Sequence, residues 1–245
     1  LGFFILAVII GLLLFRGSRL KDKRRLSEMN RKIAELTQVN LRQQMNPHFI
    51  FNTLNSIQYY MYQHDKLATN NYLTKFSNLM RKVLENSNHT SVSLRDELDA
   101  INLYLELESL RFSGKFDYRI TVDEEIDPFL FKIPTMLIQP YVENSICHGL
   151  MPKAEKGYVN IGFRLDKDHI TCTIEDNGIG REAAGEISKQ RKSNHNSMGT
   201  KIVSSRLDLV NELYGTSLKT VYFDLVNDKG EPEGTRVEIH IPIMT

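Results

Sequence analysis

The sequence predicts an α+β fold, helical in its first half and sheet-forming in its second. Three observations carry this. Apolar residues recur every three or four positions from Leu26 to Phe112. From Phe116 onward they alternate, as strand residues do. Ahead of both lies a run of fifteen residues with no charge, LGFFILAVIIGLLLF. A chain of 245 residues, 41% hydrophobic and 25% charged, is a folded protein long enough for one large domain or two small ones. A formal net charge of +1 argues against a general nucleic-acid binder. Two cysteines, Cys147 and Cys172, exclude a disulfide scaffold and a Cys-rich zinc site.

The opening run reads as the C-terminal part of a transmembrane helix. As a helix it reaches roughly 22 Å, short of the ~30 Å hydrocarbon core, and the chain begins with Leu rather than Met. The missing part of the span is therefore expected upstream. A signal peptide would carry its positive charges first; here they follow. Eight Lys/Arg against two acids between Arg16 and Lys32 give +6, so the remainder of the chain is −5. A basic run directly after an apolar helix marks the cytoplasmic side. Leu26, Met29, Ile33 and Leu36 then follow a 3-4-3 spacing, a short coiled-coil seam or an ordinary amphipathic face.

Asn46 is a good N-cap residue, which makes Pro47 the first helical position and puts His48 in the first turn. Positive partial charge at a helix start disfavours a protonated imidazole and attracts phosphate. A neutral imidazole beside a phosphoryl group is what a histidine nucleophile needs. Taken alone, such a histidine is more often a polar surface residue. Phe51, Leu54, Ile57 and Met61 supply the packing face of this helix. A second helix spans 67–86, and a polar cluster over 86–91 ends it. Ser93 caps a third helix, with Asp96 and Glu97 in its first turn, that runs to Phe112. Short connections favour antiparallel packing, and so small a helical unit suits dimerisation.

In the second half, strands are expected over 116–122, 158–165, 169–175, 219–226 and 234–241, in a mostly antiparallel sheet with helices on one face. Helices are expected from Pro134 to Ile146 and over 199–214. The strand over 169–175 delivers Glu175-Asp-Asn-Gly-Ile-Gly180. A carboxylate at a strand end can accept a hydrogen bond from an exocyclic amine such as that of adenine. Gly178 and Gly180 let backbone lie close to a flat ring. By itself Asp-x-Gly-x-Gly is more often a turn. Upstream, Glu143, Asn144 and His148 sit on one helix, with Asn144 and His148 at i, i+4. A neutral amide oxygen beside a carboxylate suits a Mg²⁺ ion that keeps most of its waters; the plain alternative is a polar helix face stopped at Gly149. Residues 181–198 have no convincing apolar period and read as a lid loop. Ser197-Met-Gly199 then opens a helix where backbone N–H groups can meet a phosphate.

In this order the pieces resemble sensor histidine kinases of the LytS/YehU type. Asn46-Pro-His-Phe-Ile-Phe-Asn52 is similar to their phosphoacceptor box. Gln139-Pro-Tyr-Val-Glu-Asn144 with His148-Gly149 is similar to their N box. Asp176-Asn-Gly-Ile-Gly180 is similar to their G1 box, and Ser197-Met-Gly-Thr-Lys201 to a G2 box. The resemblance covers roughly residues 40–243. Ahead of that span the residues themselves give a partial transmembrane helix over 1–15 and a basic juxtamembrane and coiled-coil linker over 16–40; the resemblance implies the rest. A helical histidine-box and dimerisation region over 41–113 follows, then an α/β-sandwich ATP-binding domain of the gyrase/Hsp90/histidine-kinase type over 114–245. His48 becomes the phosphoacceptor, grouped with Asn52 of its box and with Glu143 as the candidate base. Asn144, His148, Asp176, Gly178, Gly180, Ser197, Gly199 and Thr200 become the nucleotide-binding set, with Asn144 on Mg²⁺. The implied cofactors are ATP and Mg²⁺. The implied partners are a second copy of the chain and a response regulator of the DNA-binding type, with no direct nucleic-acid contact. The implied location is the bacterial inner membrane, with 16–245 in the cytoplasm.

Four departures accompany the resemblance. Phe49 stands where many histidine kinases carry an acid. Cys147 stands where related N boxes often carry Lys. Ser197 and Thr200 replace the Gly and Leu common in the G2 box. Two other functions use the same boxes: a nucleotide-binding scaffold with weakened phosphotransfer, and an ATPase or serine kinase of the same fold.

Overall fold

The computed structural model describes Lys21, residues 47–190, Asn211 and residues 218–243. The expected membrane helix, basic linker and coiled coil, the Asn46 cap, the G2 box and the helix over 199–214 lie outside these residues, apart from isolated positions. Among the described residues no helix is long and apolar enough to cross a membrane. The chain divides into two compact units, Leu1–Phe51 and Asn52–Thr245.

Helix α1 (Pro47–Tyr62) begins at the proline, in keeping with proline's fixed φ and missing N–H. A tight turn with His64 at φ 56° leads into α2 (Lys66–Ser87). Asp65 caps α2 by accepting from the Ala68 N–H at 2.8 Å. The three-residue strand β1 (Ser91–Ser93) runs directly into α3 (Leu94–Arg111). Ser93 caps α3 as the sequence predicts, accepting from the Asp96 N–H at 3.1 Å. Helices α2 and α3 pack together through Tyr72, Leu79 and Val83 of one and Ile101, Tyr104 and Leu105 of the other, all buried. Along their rim Lys82 pairs with Asp99 at 2.7 Å, and Lys75 pairs with Glu106.

The sheet holds β2 (Phe116–Val122), β4 (Gly157–Leu165), β5 (His169–Asp176), β6 (Lys219–Val226) and β7 (Pro232–Pro242), in the order β2-β4-β5-β7-β6. Only β2 and β4 are parallel. Alternation sets one inward face: Val159, Ile161 and Phe163 lie beside Asp176, Ile174 and Cys172. Those three lie in turn beside Thr235, Val237 and Ile239. All nine are buried, and Asp176 is the one carboxylate among them. A second ladder pairs β1 with β3 (Lys132–Pro134).

Two expectations need correction. The helix expected from Pro134 starts later. Pro134 ends β3, a turn over 135–138 follows with Met136 at φ 55°, and α4 is Gln139–Asn144 with Pro140 in its first turn. Backbone pairing of Pro134 with Ser91, distant in sequence, takes the proline into a strand. The chain then widens into a π-helical turn, Ser145–Leu150, closed by the Met151 N–H on the Ile146 carbonyl at 2.9 Å. The expected lid loop begins instead as a helix, α5 (Arg181–Gln190). It is held at its start by charge: Arg181 grips Asp224 of β6 with two bonds of 2.7 and 2.6 Å.

Candidate functional site

Asp176 ends β5 on the inward face, 3% exposed. Burial raises the pKa of its carboxyl above the ordinary range. Hydrogen bonds from the Ser145 hydroxyl and from the Gly178 and Thr235 backbone N–H groups pull it partly back down. The Gly178 bond is 2.9 Å. A carboxylate has about four acceptor positions, so the oxygens retain capacity for a further donor.

The turn after Asp176 lies against the π-helical turn. The Ile179 N–H donates to the Gly149 carbonyl at 3.1 Å. A Cβ on Gly178 would come within 2.5 Å of the Gly149 backbone, and one on Gly149 within 2.8 Å of Asp176 Oδ1. Both glycines are therefore required by close approach. Gly180, at φ 78°, turns the chain into α5. Lys153 Nζ donates to the Asn177 carbonyl at 2.7 Å, and Asn177 Oδ1 accepts from the Tyr158 N–H at 2.7 Å, which fixes the turn from outside.

Glu143 and Asn144, both half-buried, close α4. Gln139 Nε2 donates to Glu143 Oε1 at 3.0 Å. His148 is exposed on the π-helical turn, and partial desolvation of its ring lowers its pKa. Cys147 faces α3; burial, with Glu108 and Glu143 nearby, pushes its thiol up to about 12 against the opposing pull of Arg111. It is thus a neutral thiol with no nucleophilic character at neutral pH. Among the described residues no group of three or more His, Cys, Asp or Glu could hold a metal ion.

The structure brings Asp176 and Gly178 against the segment that carries Glu143, Asn144 and His148. His48 is the second residue of α1, in the first compact unit, and Asn52 opens the second unit. Ser197, Gly199 and Thr200 lie outside the described residues. Sequence reasoning missed Ser145 and Thr235. Ser145 had one local pointer, its place directly after Asn144 in the motif. Thr235 had no local signal, because its place beside Asp176 comes from the β5–β7 register.

Similarity to known proteins points to the histidine kinases. The histidine kinase family model matches residues 21–116. The chain is 32% identical over 169 residues to the protein YwpD of Bacillus subtilis, covering 68% of this chain and 59% of that one. It is 30% identical over 220 residues to the sensor histidine kinase BtsS of Escherichia coli, covering 88% of this chain and 35% of that one. It is 33% identical over 155 residues to the sensor protein LytS of Oceanobacillus iheyensis, covering 63% and 26% respectively. The chain is thus similar to sensor histidine kinases over most of its length. It spans about three fifths of YwpD and about a third of BtsS.

Proposed function

We propose that the chain is the kinase portion of a two-component sensor that uses ATP to phosphorylate its own His48 and passes the phosphoryl group to an aspartate of a response regulator. Asp176 carries the nucleotide part of this reading: a buried carboxylate with spare acceptor capacity, in a cradle that a Cβ at Gly178 would fill. In this reading Asp176 accepts the amino group of adenine, and Gly178 and Gly180 let the backbone lie along the ring. Asn144 offers Mg²⁺ one neutral oxygen, so phosphate and water oxygens supply most of its coordination. Bound Mg²⁺ offsets charge on the transferring phosphate. His148, Ser197, Gly199 and Thr200 complete the phosphate contacts.

The unprotonated ring nitrogen of neutral His48 attacks the γ-phosphorus while the bond to the β,γ-bridging oxygen breaks. The imidazole then sheds its proton, for which Glu143 is the candidate acceptor, and Asn52 belongs to the same box. The helical region over 41–113 serves as the dimerisation and phosphoacceptor unit, and 114–245 as the ATP-binding domain. Residues 1–15 belong to a membrane anchor and 16–40 form its basic, cytoplasmic flank, which puts 16–245 on the cytoplasmic side of the inner membrane. The regulator is of the DNA-binding type, and the chain itself touches no nucleic acid.

Phosphorylation with radiolabelled ATP tests this. His48→Gln should abolish acid-labile label and keep ATP binding. Label that survives the substitution would sink the assignment. Asp176→Asn should lose affinity for a fluorescent ATP analogue, because the amide presents a donor where adenine also donates.

A further inference from the structure

Glu97 lies in the first turn of α3, 1% exposed. A carboxylate so far from water is costly unless its oxygens accept hydrogen bonds. Both do, and both donors come from the turn that leads into α4. The Met136 N–H donates to Oε2 at 2.9 Å and the Ile138 N–H to Oε1 at 3.4 Å. Two features of that turn need outside support. Met136 holds φ 55°, a left-handed conformation that side chains disfavour. Ile138 is the N-cap of α4 and has no side chain able to cap it. Glu97 therefore supplies, from a different helix, the anion that the start of α4 lacks.

The same helix reaches the far end of the segment. Arg111, at the end of α3, forms an ion pair with Glu108 at 2.6 Å, and both charged groups lie near enough to Cys147 to act on its thiol. Between these two points lie Glu143, Asn144 and Ser145, and the segment meets the Asp176 turn where the Ile179 N–H donates to the Gly149 carbonyl at 3.1 Å. The start of the segment is fixed by carboxylate bonds from α3, and its end lies near the Glu108–Arg111 pair of the same helix.

We propose that Glu97 is a positioning residue for the nucleotide site. By clamping the turn over 136–138 it fixes the place of Asn144 and Ser145 relative to Asp176, so a shift of α3 is felt at the nucleotide. This rests on the nucleotide reading above. It gives α3 a role apart from carrying or flanking the phosphoacceptor.

The test uses the full 245-residue chain, binding of a fluorescent ATP analogue, and hydrogen exchange at the Met136 and Ile138 amides. Glu97→Gln keeps size but sets an NH₂ against an N–H donor. It should weaken the analogue about tenfold, as loss of one charge-assisted bond implies. It should also speed exchange at both amides. Glu97→Asp keeps the charge one methylene short and should restore part of the affinity; it also serves if the Gln variant does not fold. Leu79→Ala, a core truncation on α2, should lower the melting temperature yet keep analogue affinity. The inference is overturned if Glu97→Gln binds like wild type, or if Leu79→Ala loses as much affinity as Glu97→Gln. A wild-type chain that binds no analogue would overturn the nucleotide reading itself, which separates the two failures.

Discussion

At the scale of single residues, the site depends on close approach and on buried charge. Gly178 and Gly149 meet backbone to backbone, and a Cβ on Gly178 would lie 2.5 Å from Gly149 atoms that have no side-chain freedom to yield. Gly178→Ala should therefore cost about 1–3 kcal/mol of stability, the usual range for overpacking, and should weaken ATP-analogue binding as well. Denaturant melts with an analogue titration check both; an unperturbed melt would mean that the two turns can separate freely. Glu108 gives a second, pH-dependent expectation. Burial, opposed by Arg111 and helped by Glu143, raises its pKa from 4.5 to about 7. The folded state then keeps a proton that the unfolded state releases. The contribution of this group to stability is complete below about pH 4.5, falls as pH rises toward 7, and is level above that. The span is on the order of 3 kcal/mol. Urea midpoints at pH 5 and pH 8 should differ more for wild type than for Glu108→Gln; equal differences would remove Glu108 as the cause.

At the scale of elements, what was legible depended on whether the deciding interactions were local. Strand β6 has the expected boundaries, Lys219–Val226, because the polar turn Asn227-Asp-Lys-Gly230 that ends it lies next to it in sequence. Helix α3 was legible from its cap, since Ser93, Asp96 and Glu97 are neighbours in sequence. Ser93→Ala should accordingly cost about 1 kcal/mol, read as a lowered urea midpoint, with no change if water replaces the hydroxyl fully. Helix α5 was not legible, because the Arg181–Asp224 fork joins residues 43 apart in sequence. The late start of α4 was hidden for the same reason: β1 captures Pro134 and Glu97 supports the turn beyond it. Within the site, the Asp176 and Gly178 pattern was visible as a motif. Its contact with Gly149 was not, since only the fold brings the two turns together.

At the scale of the whole molecule, sequence motifs suggest a boundary near residue 113, between a helical unit and an ATP-binding domain. The hydrogen bonds suggest a different cooperative unit. β1 pairs with β3, the Leu94 N–H donates to the Phe131 carbonyl at 2.8 Å, and the Arg95 N–H donates to the Pro128 carbonyl at 2.8 Å. Thr135 returns the contact, its hydroxyl on the His89 carbonyl at 2.7 Å and its N–H on the Thr90 carbonyl at 3.2 Å. The start of α3 is thus stitched by main-chain bonds to the loop that leads into α4. Segments joined in this way open together, because breaking one bond exposes the donors and acceptors of the next. Native-state hydrogen exchange should therefore place the Leu94 and Arg95 amides in the same protection class as the central strand β5. In denaturant they should respond with the same slope, since the same surface opens. If these two amides instead exchange with α2, independently of β5, the cooperative boundary lies where the motifs put it and α3 belongs with the helical unit alone.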